Sequence, residues 1–302
     1  MRNFEEARLK ALNFTIKPTV VVPCPYDKNI LQALIMVQEN GFANIVLIGN
    51  KNRVDSIIDE YDLDFRHETF IEIDEDLLAI EEAHSLLINH KADIIMKGLV
   101  QTKDFMRILL SNKDFMESKL LTHVAIYEVP SLNRLLFVSD PSIVVEPTIH
   151  QKKVIIDNAL ELMDSLNMES PKVAIISSTE VLNEKVKSSV DAVELTKMYT
   201  ENNKAAIYGP LAIDNAISRE ASKLKKIENL VAGNADLLIM PNLDAGNIFC
   251  KGLTYIGNIA SAGIVLGAKK PIVLTSRSAS PKEKFNSIII SCLMVNKKYK
   301  KL

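Results

Sequence analysis

Short apolar runs rich in valine and isoleucine recur along the chain. Each is followed by small or turn-forming residues and then by a longer stretch whose apolar positions return every three or four residues. That alternation is the pattern of βα units. It predicts a strand over Thr19–Val22 leading into a helix over Lys28–Asn40, with Gly41 as its left-handed C-terminal cap. A strand over Asn44–Ile48 closes at Gly49, and a strand over Asp93–Met96 runs into Lys97 and Gly98. The helix that follows carries apolar Phe105, Met106, Ile108 and Leu109, with Thr102 expected as its N-cap. His123–Tyr127 and Arg134–Val138 are separated only by Pro130–Asn133, which predicts an antiparallel hairpin inside an otherwise parallel layout. After a helix over Ile149–Leu166 the rhythm resumes with strands Val173–Ile176, Ala205–Ile207, Asp236–Met240 and Pro271–Leu274. The last helix is expected over Pro281–Val295, and the basic stretch Lys297–Lys301 as a solvated end.

A hairpin that breaks the alternation midway suggests two α/β lobes with a cleft between them, and active-site loops at the carboxyl ends of strands facing that cleft. The 302 residues suffice for such an architecture, and 47% hydrophobic with 25% charged residues is the balance of a folded globular chain. The 36 Lys and Arg nearly cancel the 38 Asp and Glu, so no global field draws the protein to nucleic acid or acidic membranes. The first ten residues mix both charge signs and lack the apolar stretch of a signal peptide, so export is not expected. Apolar runs such as Ile288–Val295 fall short of the ~20 residues that span a bilayer. Cys24, Cys250 and Cys292 are distant in sequence and odd in number, which argues against a disulfide framework or zinc site and fits a reducing cytoplasm.

Candidate chemistry is narrowed first by what is missing. No G-x-G dinucleotide fingerprint, P-loop, H-E-x-x-H or G-x-S-x-G motif occurs, and His67, His84, His90, His123 and His150 are scattered without metal-ligand spacing. The acidic pairs Glu81-Glu82 and Asp74–Asp76 read as polar helical faces. Asp236–Lys251 reads as a buried strand, a turn with Pro241, Asn242 and Asp244, and a helix starting near Ala245–Asn247. Backbone N–H groups near Gly246 and Asn247 could there receive an anion, with Lys251 one turn on. The same residues serve equally as caps and turns. After the strand Pro271–Leu274, Thr275, Ser276, Arg277, Ser278 and Ser280 offer hydroxyls, backbone donors and a guanidinium to a phosphate, or form an ordinary polar loop.

The Ala245-Gly-Asn-Ile248 core with Lys251, followed by Gly267–Arg277, resembles the phosphate acyltransferase family, most closely its phosphate butyryltransferase branch. Met96–Thr102, Leu121–Ala125, Pro171–Ala174, Ser188–Ala192 and Gly209–Ser218 extend the resemblance through nearly the whole chain. It implies acyl transfer between coenzyme A and inorganic phosphate, with CoA as substrate, no tightly bound cofactor and no metal. It also implies two α/β lobes of the isocitrate/isopropylmalate dehydrogenase type, usually in a cytoplasmic homodimer. The first lobe is expected over residues 1–120 plus 268–302, and the second over 121–267.

Residue by residue, the resemblance makes Ser276 and Arg277 catalytic and Arg107 a phosphate ligand, with Lys97, Gly98, Thr102, His123, Asp214, Gly246, Asn247, Lys251 and Thr275 as further substrate-binding positions. In the thioester-forming direction the thiolate would add to the acyl carbon and phosphate would depart directly. Arg277 and Arg107 would hold the phosphate, and Ser276 would steady the thiol or the oxyanion. Butyryl-type members commonly have an acid where Ala279 stands, and Gln101 replaces a residue that is often Asn or His. Glu283 occupies about the place of the base proposed in acetyl-type members, and would equally suit a helix surface. Asp214 could position substrate or cap a helix, and Cys250 would line the cleft or pack in a helix. The rival readings are a phosphate acetyltransferase, a nicotinamide-dependent hydroxy-acid dehydrogenase, and a catalytically silent CoA-binding protein of the same fold.

Overall fold

The computed structural model describes residues 1–66, 69–201 and 204–299, with side chains up to 297 in the last helix. The chain divides into two compact units. One, the N/C unit, comprises Phe4–Glu117 and the segment from Ala262 onward; the other, the middle unit, comprises Met1–Asn3 and Ser118–Ser261. The N/C unit begins with α1 (Phe4–Ala11), β1 (Thr19–Pro23), α2 (Lys28–Asn40), β2 (Asn44–Gly49), α3 (Lys51–Glu60), β3 (Phe70–Glu72), α4 (Asp76–Ile88), β4 (Ile94–Met96) and α5 (Thr102–Leu109). The middle unit contains β5 (Thr122–Val129), β6 (Arg134–Ser139), α6 (Ile149–Ser165), β7 (Lys172–Ile176), α7 (Lys187–Met198), β8 (Ala206–Leu211), α8 (Ile213–Ile217), α9 (Arg219–Leu224), β9 (Leu237–Ile239) and α10 (Leu243–Lys251). Then β10 (Ser261–Leu266), β11 (Ile272–Val273) and α11 (Pro281–Tyr299) complete the N/C unit.

In the N/C unit the strand order is β3-β2-β1-β4-β11-β10, parallel throughout except for β10. The chain builds outward from β1 through β2 to β3 and then returns to the other side of β1 as β4. This creates a topological switch point between β1 and β4, where ligands of open α/β sheets bind. Val20–Val22, Ile94–Met96, Ile272 and Val273 are all buried, as unbroken apolar strands must be when helices cover both faces. Among those helices α11 is buried around its circumference at Ile288, Ile289, Ile290 and Cys292, and Phe285 tilts its ring against Phe42 at 5.8 Å. In the middle unit the order is β5-β6-β9-β7-β8, with β5 and β6 antiparallel and the rest parallel.

Local chemistry sets the element ends. The Asp27 side chain accepts from the Ile30 N–H to start α2, and Gly41 ends it at φ 66°, a conformation that a Cβ disfavours. Thr148 and Gln151 close a reciprocal capping box at the start of α6. Several expectations change. Helix α5 is capped by the backbone of Gln101, and Thr102 is its first helical residue, because the Phe105 N–H closes the opening turn on the Gln101 carbonyl. Helix α11 runs past Val295 to Tyr299, while Lys300 and Lys301, like His67, lie outside the described residues. Asp74 precedes α4 and accepts from Asn50 Nδ2. The short strands β3 and β10 were not expected. After Phe4 the chain passes from the N/C unit to the middle unit at 117/118 and returns at 261/262. Among the described residues no helix is long and apolar enough to cross a membrane.

A buried ion pair joins α6 to α7. Lys152 Nζ lies 2.8 Å from Asp191, whose carboxylate also receives exposed Lys187 at 2.7 Å. Burial works to raise the Asp191 pKa, but the hydrogen bonds from Lys152 and Lys187 hold it below its ordinary value. Its contribution is therefore complete above the unfolded carboxylate pKa of about 3.9 and is lost as pH falls through the lower folded value. Asp191→Ala strands the Lys152 ammonium and should cost about 3 kcal/mol in urea unfolding of the middle unit. Lys152→Met, which leaves Asp191 its bond to Lys187, should cost clearly less.

Candidate active site

In the N/C unit, β1, β4 and β11 run parallel, and their carboxyl ends carry the polar residues. The chain after β4 is pressed onto the chain after β1. A Cβ built on Gly98 would lie 2.0 Å from the Pro23 carbonyl oxygen and 2.2 Å from that of Cys24, and the Leu99 N–H donates to the Cys24 carbonyl at 2.8 Å. Cys24 itself takes a left-handed φ of 52° to allow this approach. Lys97, just after β4, is buried, and its ammonium donates to the Gly98 and Val100 carbonyls at 3.1 and 3.0 Å. It shapes its own loop. Burial, with Arg277 and Lys284 adding repulsion, lowers its pKa.

The segment after β11 begins with half-buried Leu274 and Thr275 and emerges at exposed Ser276, Arg277 and Ser278. The Ser276 and Ser278 hydroxyls lie 2.9 Å apart, and the Ala279 N–H donates to the Ser276 carbonyl at 3.1 Å. Ala279 is buried, and its carbonyl accepts from Asn29 Nδ2 at 3.2 Å. Ser280 caps the next helix by accepting from the Glu283 N–H, which places Glu283 in the first turn of α11. Sequence reasoning missed Lys284. It is 3% exposed, and its ammonium lies 3.1 Å from both Thr275 Oγ1 and the Ser276 carbonyl. The available signal was its position four residues before Ile288, on the buried side of α11. Exposed Arg107 lies on α5, which follows the β4 loop, and pairs with Asp104 at 3.2 Å.

In the middle unit the start of β5 lies beside the end of β6, as antiparallel pairing requires. Buried Asp140, another residue the sequence reading passed over, organises this end. One carboxylate oxygen accepts from the His123 N–H at 3.0 Å, and the other accepts from the Ser142 and Ile143 N–H groups at 2.7 and 2.9 Å. Its signal was the Asp-Pro-Ser turn chemistry directly after a strand. His123 is buried with no hydrogen-bond partner at Nδ1, and burial lowers its pKa against the opposing pull of Asp140. Helix α10 starts at Leu243, earlier than expected, because the Asn242 side chain accepts from the Ala245 N–H.

That earlier start places Gly246 and Asn247 inside the helix and not at its first residues. The Gly246 N–H is already given to the Asn242 carbonyl at 3.1 Å, and the Gly246 Cα packs so closely that a Cβ would meet the Asp140 carbonyl at 3.0 Å. Asn247 Nδ2 donates to the Pro141 carbonyl at 3.2 Å. Lys251 ends α10, remote from the helix start, with its ammonium 5.9 Å from the centre of the Tyr255 ring. Asp214 is exposed in α8, whose N-cap is Ala212, so Asp214 does not cap that helix. His123, Gly246 and Asn247 thus gather around Asp140–Pro141. Cys250 is buried and packed, and its carbonyl accepts from the Tyr127 hydroxyl. Burial pushes the Cys250 thiol up to about 11 and the Cys24 thiol up to about 12, and raises Cys292 as well. Among the described residues no group of three or more His, Cys, Asp or Glu is placed to hold a metal ion.

A parallel α/β sheet that brings hydroxyls, a free-standing guanidinium and two buried ammonium groups to the ends of adjacent strands is built to handle an anion. The chain belongs to the phosphate acetyl/butaryl transferase family, whose model matches residues 76–292. It is 36% identical over 300 residues to a phosphate butyryltransferase of Clostridium beijerinckii, covering 97% of this chain and 98% of that one. It is 33% identical over 281 residues to a phosphate acetyltransferase of Thermotoga maritima, covering 91% and 94%. The solved structure of a branched-chain phosphotransacylase from Enterococcus faecalis V583 matches with a TM-score of 0.83 at 30% identity, over 92% of this chain and 99% of that chain. The mixed α/β fold is the one seen in that structure.

The close approach at Gly98 yields a direct test. Gly98→Ala should lower stability by about 3 kcal/mol or more, since the new methyl meets backbone and not a movable side chain. Gly252→Ala, where a Cβ meets nothing within 4 Å, should be neutral or stabilising by up to about 1 kcal/mol. Thermal melts of both variants beside the parent chain check the contrast.

Proposed function

We propose that the protein transfers a short-chain acyl group, of butyryl or branched-chain type, between coenzyme A and inorganic phosphate, producing acyl phosphate and free CoA. Family membership sets the reaction class, and the observation that carries the residue-level reading is the exposed Ser276-Arg277 pair at the end of β11, backed by buried Lys284. In the thioester-forming direction the CoA sulfur bonds to the acyl carbon, the bond from that carbon to the phosphate oxygen breaks, and phosphate leaves with the electron pair. Glu283 takes the thiol proton. Arg277 and Arg107 hold the phosphate through charge-assisted bonds, and Ser276 donates to the oxyanion that develops at the acyl carbon. Transfer is direct. In support, burial keeps all three cysteines protonated at neutral pH, which leaves no thiolate to form an acyl-enzyme.

Neutral His123, with an unpartnered Nδ1, and Asn247 are assigned to substrate contact in the middle unit, whereas Gly246 serves close packing. CoA is a substrate and not a resident cofactor. The N/C and middle units are read as the two lobes of the isocitrate/isopropylmalate dehydrogenase type, which suits a chain that leaves one unit after α5 and re-enters it at β10. A cytoplasmic homodimer completes the proposal, and three free, buried thiols suit a reducing compartment. Acyl length is set by the apolar end of the substrate site, where one methylene changes binding by about 1–3 kcal/mol, so an acetyl-transferring enzyme would use the same polar groups.

Purified protein mixed with phosphate and a series from acetyl- to longer acyl-CoAs should release free thiol only when phosphate is present, fastest with four-carbon or branched acyl groups. Ser276→Ala and Arg277→Ala should each lower kcat about 10²- to 10³-fold with unchanged melting. Unaltered rates in both variants would refute the site assignment. CoA binding without turnover would move the protein to the silent binding class.

A further inference from the structure

We propose that Lys284 is a positioning residue that turns the Thr275 hydroxyl into an outward-only donor for the substrate phosphate. The idea rests on the acyl-transfer reading above and deepens it. An ammonium carries three donors and no acceptor, so in the 3.1 Å contact between Lys284 Nζ and Thr275 Oγ1 the hydroxyl oxygen must accept. The hydroxyl proton is then directed away from Lys284, toward an acceptor beyond this pair. Half-buried Thr275 stands between the buried strand and exposed Ser276 and Arg277, so an acceptor at the strand end receives a hydrogen bond from an already polarised donor.

The same ammonium donates to the Ser276 carbonyl, which also accepts from the Ala279 N–H. Asn29, from the first turn of α2, holds the Ala279 carbonyl. The loop that carries Ser276 and Arg277 is thereby fixed from below by a buried charge and at its far end by an amide. Such anchoring is what keeps donors in place before the anion arrives.

The charged groups around Lys284 are Asp27 at the cap of α2, Glu283 on its own helix, and Lys97 after β4, which Arg277 in turn faces. Burial lowers the Lys284 pKa from its ordinary 10.5, against the pull of Asp27 and Glu283. Deprotonation would give Lys284 a lone pair, allow Thr275 to donate inward and abolish the outward donor. Phosphate use should thus decline with rising pH before the ordinary lysine range is reached.

The test runs in the direction from acyl-CoA and phosphate, where neither substrate has a titrating thiol. Lys284→Met and Thr275→Val should each raise KM for phosphate about tenfold while leaving KM for acyl-CoA in place, and the double variant should be no worse than either alone. Thr275→Ser should restore the parent value. Lys284→Arg should move the alkaline limb of kcat/KM for phosphate upward. Additive losses, equal KM changes for both substrates, or an alkaline limb that Lys284→Arg leaves in place would overturn the proposal. Should Lys284→Met fail to fold, the Thr275 pair and Lys284→Arg carry the test. Melting with and without inorganic phosphate separates the two levels. Phosphate stabilisation that is lost in Thr275→Val, in a protein inert toward every acyl-CoA, would sink the acyl-transfer reading and retain the donor assignment. An active parent enzyme with unmoved variants would sink the donor assignment alone.

Discussion

The backbones that leave β1 and β4 touch at a distance that excludes any side chain at position 98. Much of the N/C unit follows from that contact. It brings the Cys24 and Lys97 ends of two adjacent parallel strands level, and the ladder from Lys97 N–H to the Val273 carbonyl adds the β11 end beside them. The polar residues that follow each strand therefore start from one line. Packing interiors are too dense to be adjusted by small increments, so the carboxyl edge of the sheet inherits the rigidity of its core. Lys97 and Lys284 then spend their hydrogen bonds on carbonyls and a hydroxyl of the loops themselves, whereas Arg277 and Arg107 are exposed.

The middle unit solves a similar problem with a carboxylate. Asp140 gathers three backbone N–H groups from β5 and from its own turn, and the Pro141 carbonyl receives Asn247 from α10. Glu146 and Val145, further along the same loop, tie to Asn242 and the Leu243 N–H at the head of that helix. A loop whose donors and acceptors are this fully committed is a scaffold element in the sense that its conformation is decided before any ligand binds. His123 Nδ1 stands out against it as a buried polar atom without a partner.

Where the backbone needed a special residue, the sequence was easy to read. Gly41 in its left-handed cap, the Pro130–Asn133 turn between β5 and β6, and the apolar runs of β1, β4 and β9 all follow from period and turn chemistry. Ser276 and Arg277 were legible because polarity changes abruptly at the end of an apolar strand. Strand β10 was hidden by Ser261, Ala262 and Gly263, which carry little strand preference, and its burial comes from neighbours distant in sequence. The start of α10 was misplaced because Asn242, Asp244 and Asn247 are all competent caps, and the tertiary contact with Val145 decides among them. Lys284 was invisible for a simpler reason. A lysine beside Glu283 near a helix start reads as solvent-facing, and only the docking of α11 against α2 and β11 encloses it.

The position of α11 has a consequence for how the protein comes into being. Ile288, Ile289 and Ile290 fill the interior of a unit whose strands β1 to β4 are synthesised long before them, with residues 118–261 of the middle unit made in between. On the ribosome the middle unit can close on its own residues, whereas the earlier βα units must wait with an open apolar face and an unpaired β4 edge until β11 and α11 emerge. Until the last helix arrives, the N/C unit carries an uncovered apolar face of the kind that drives aggregation in incompletely folded chains.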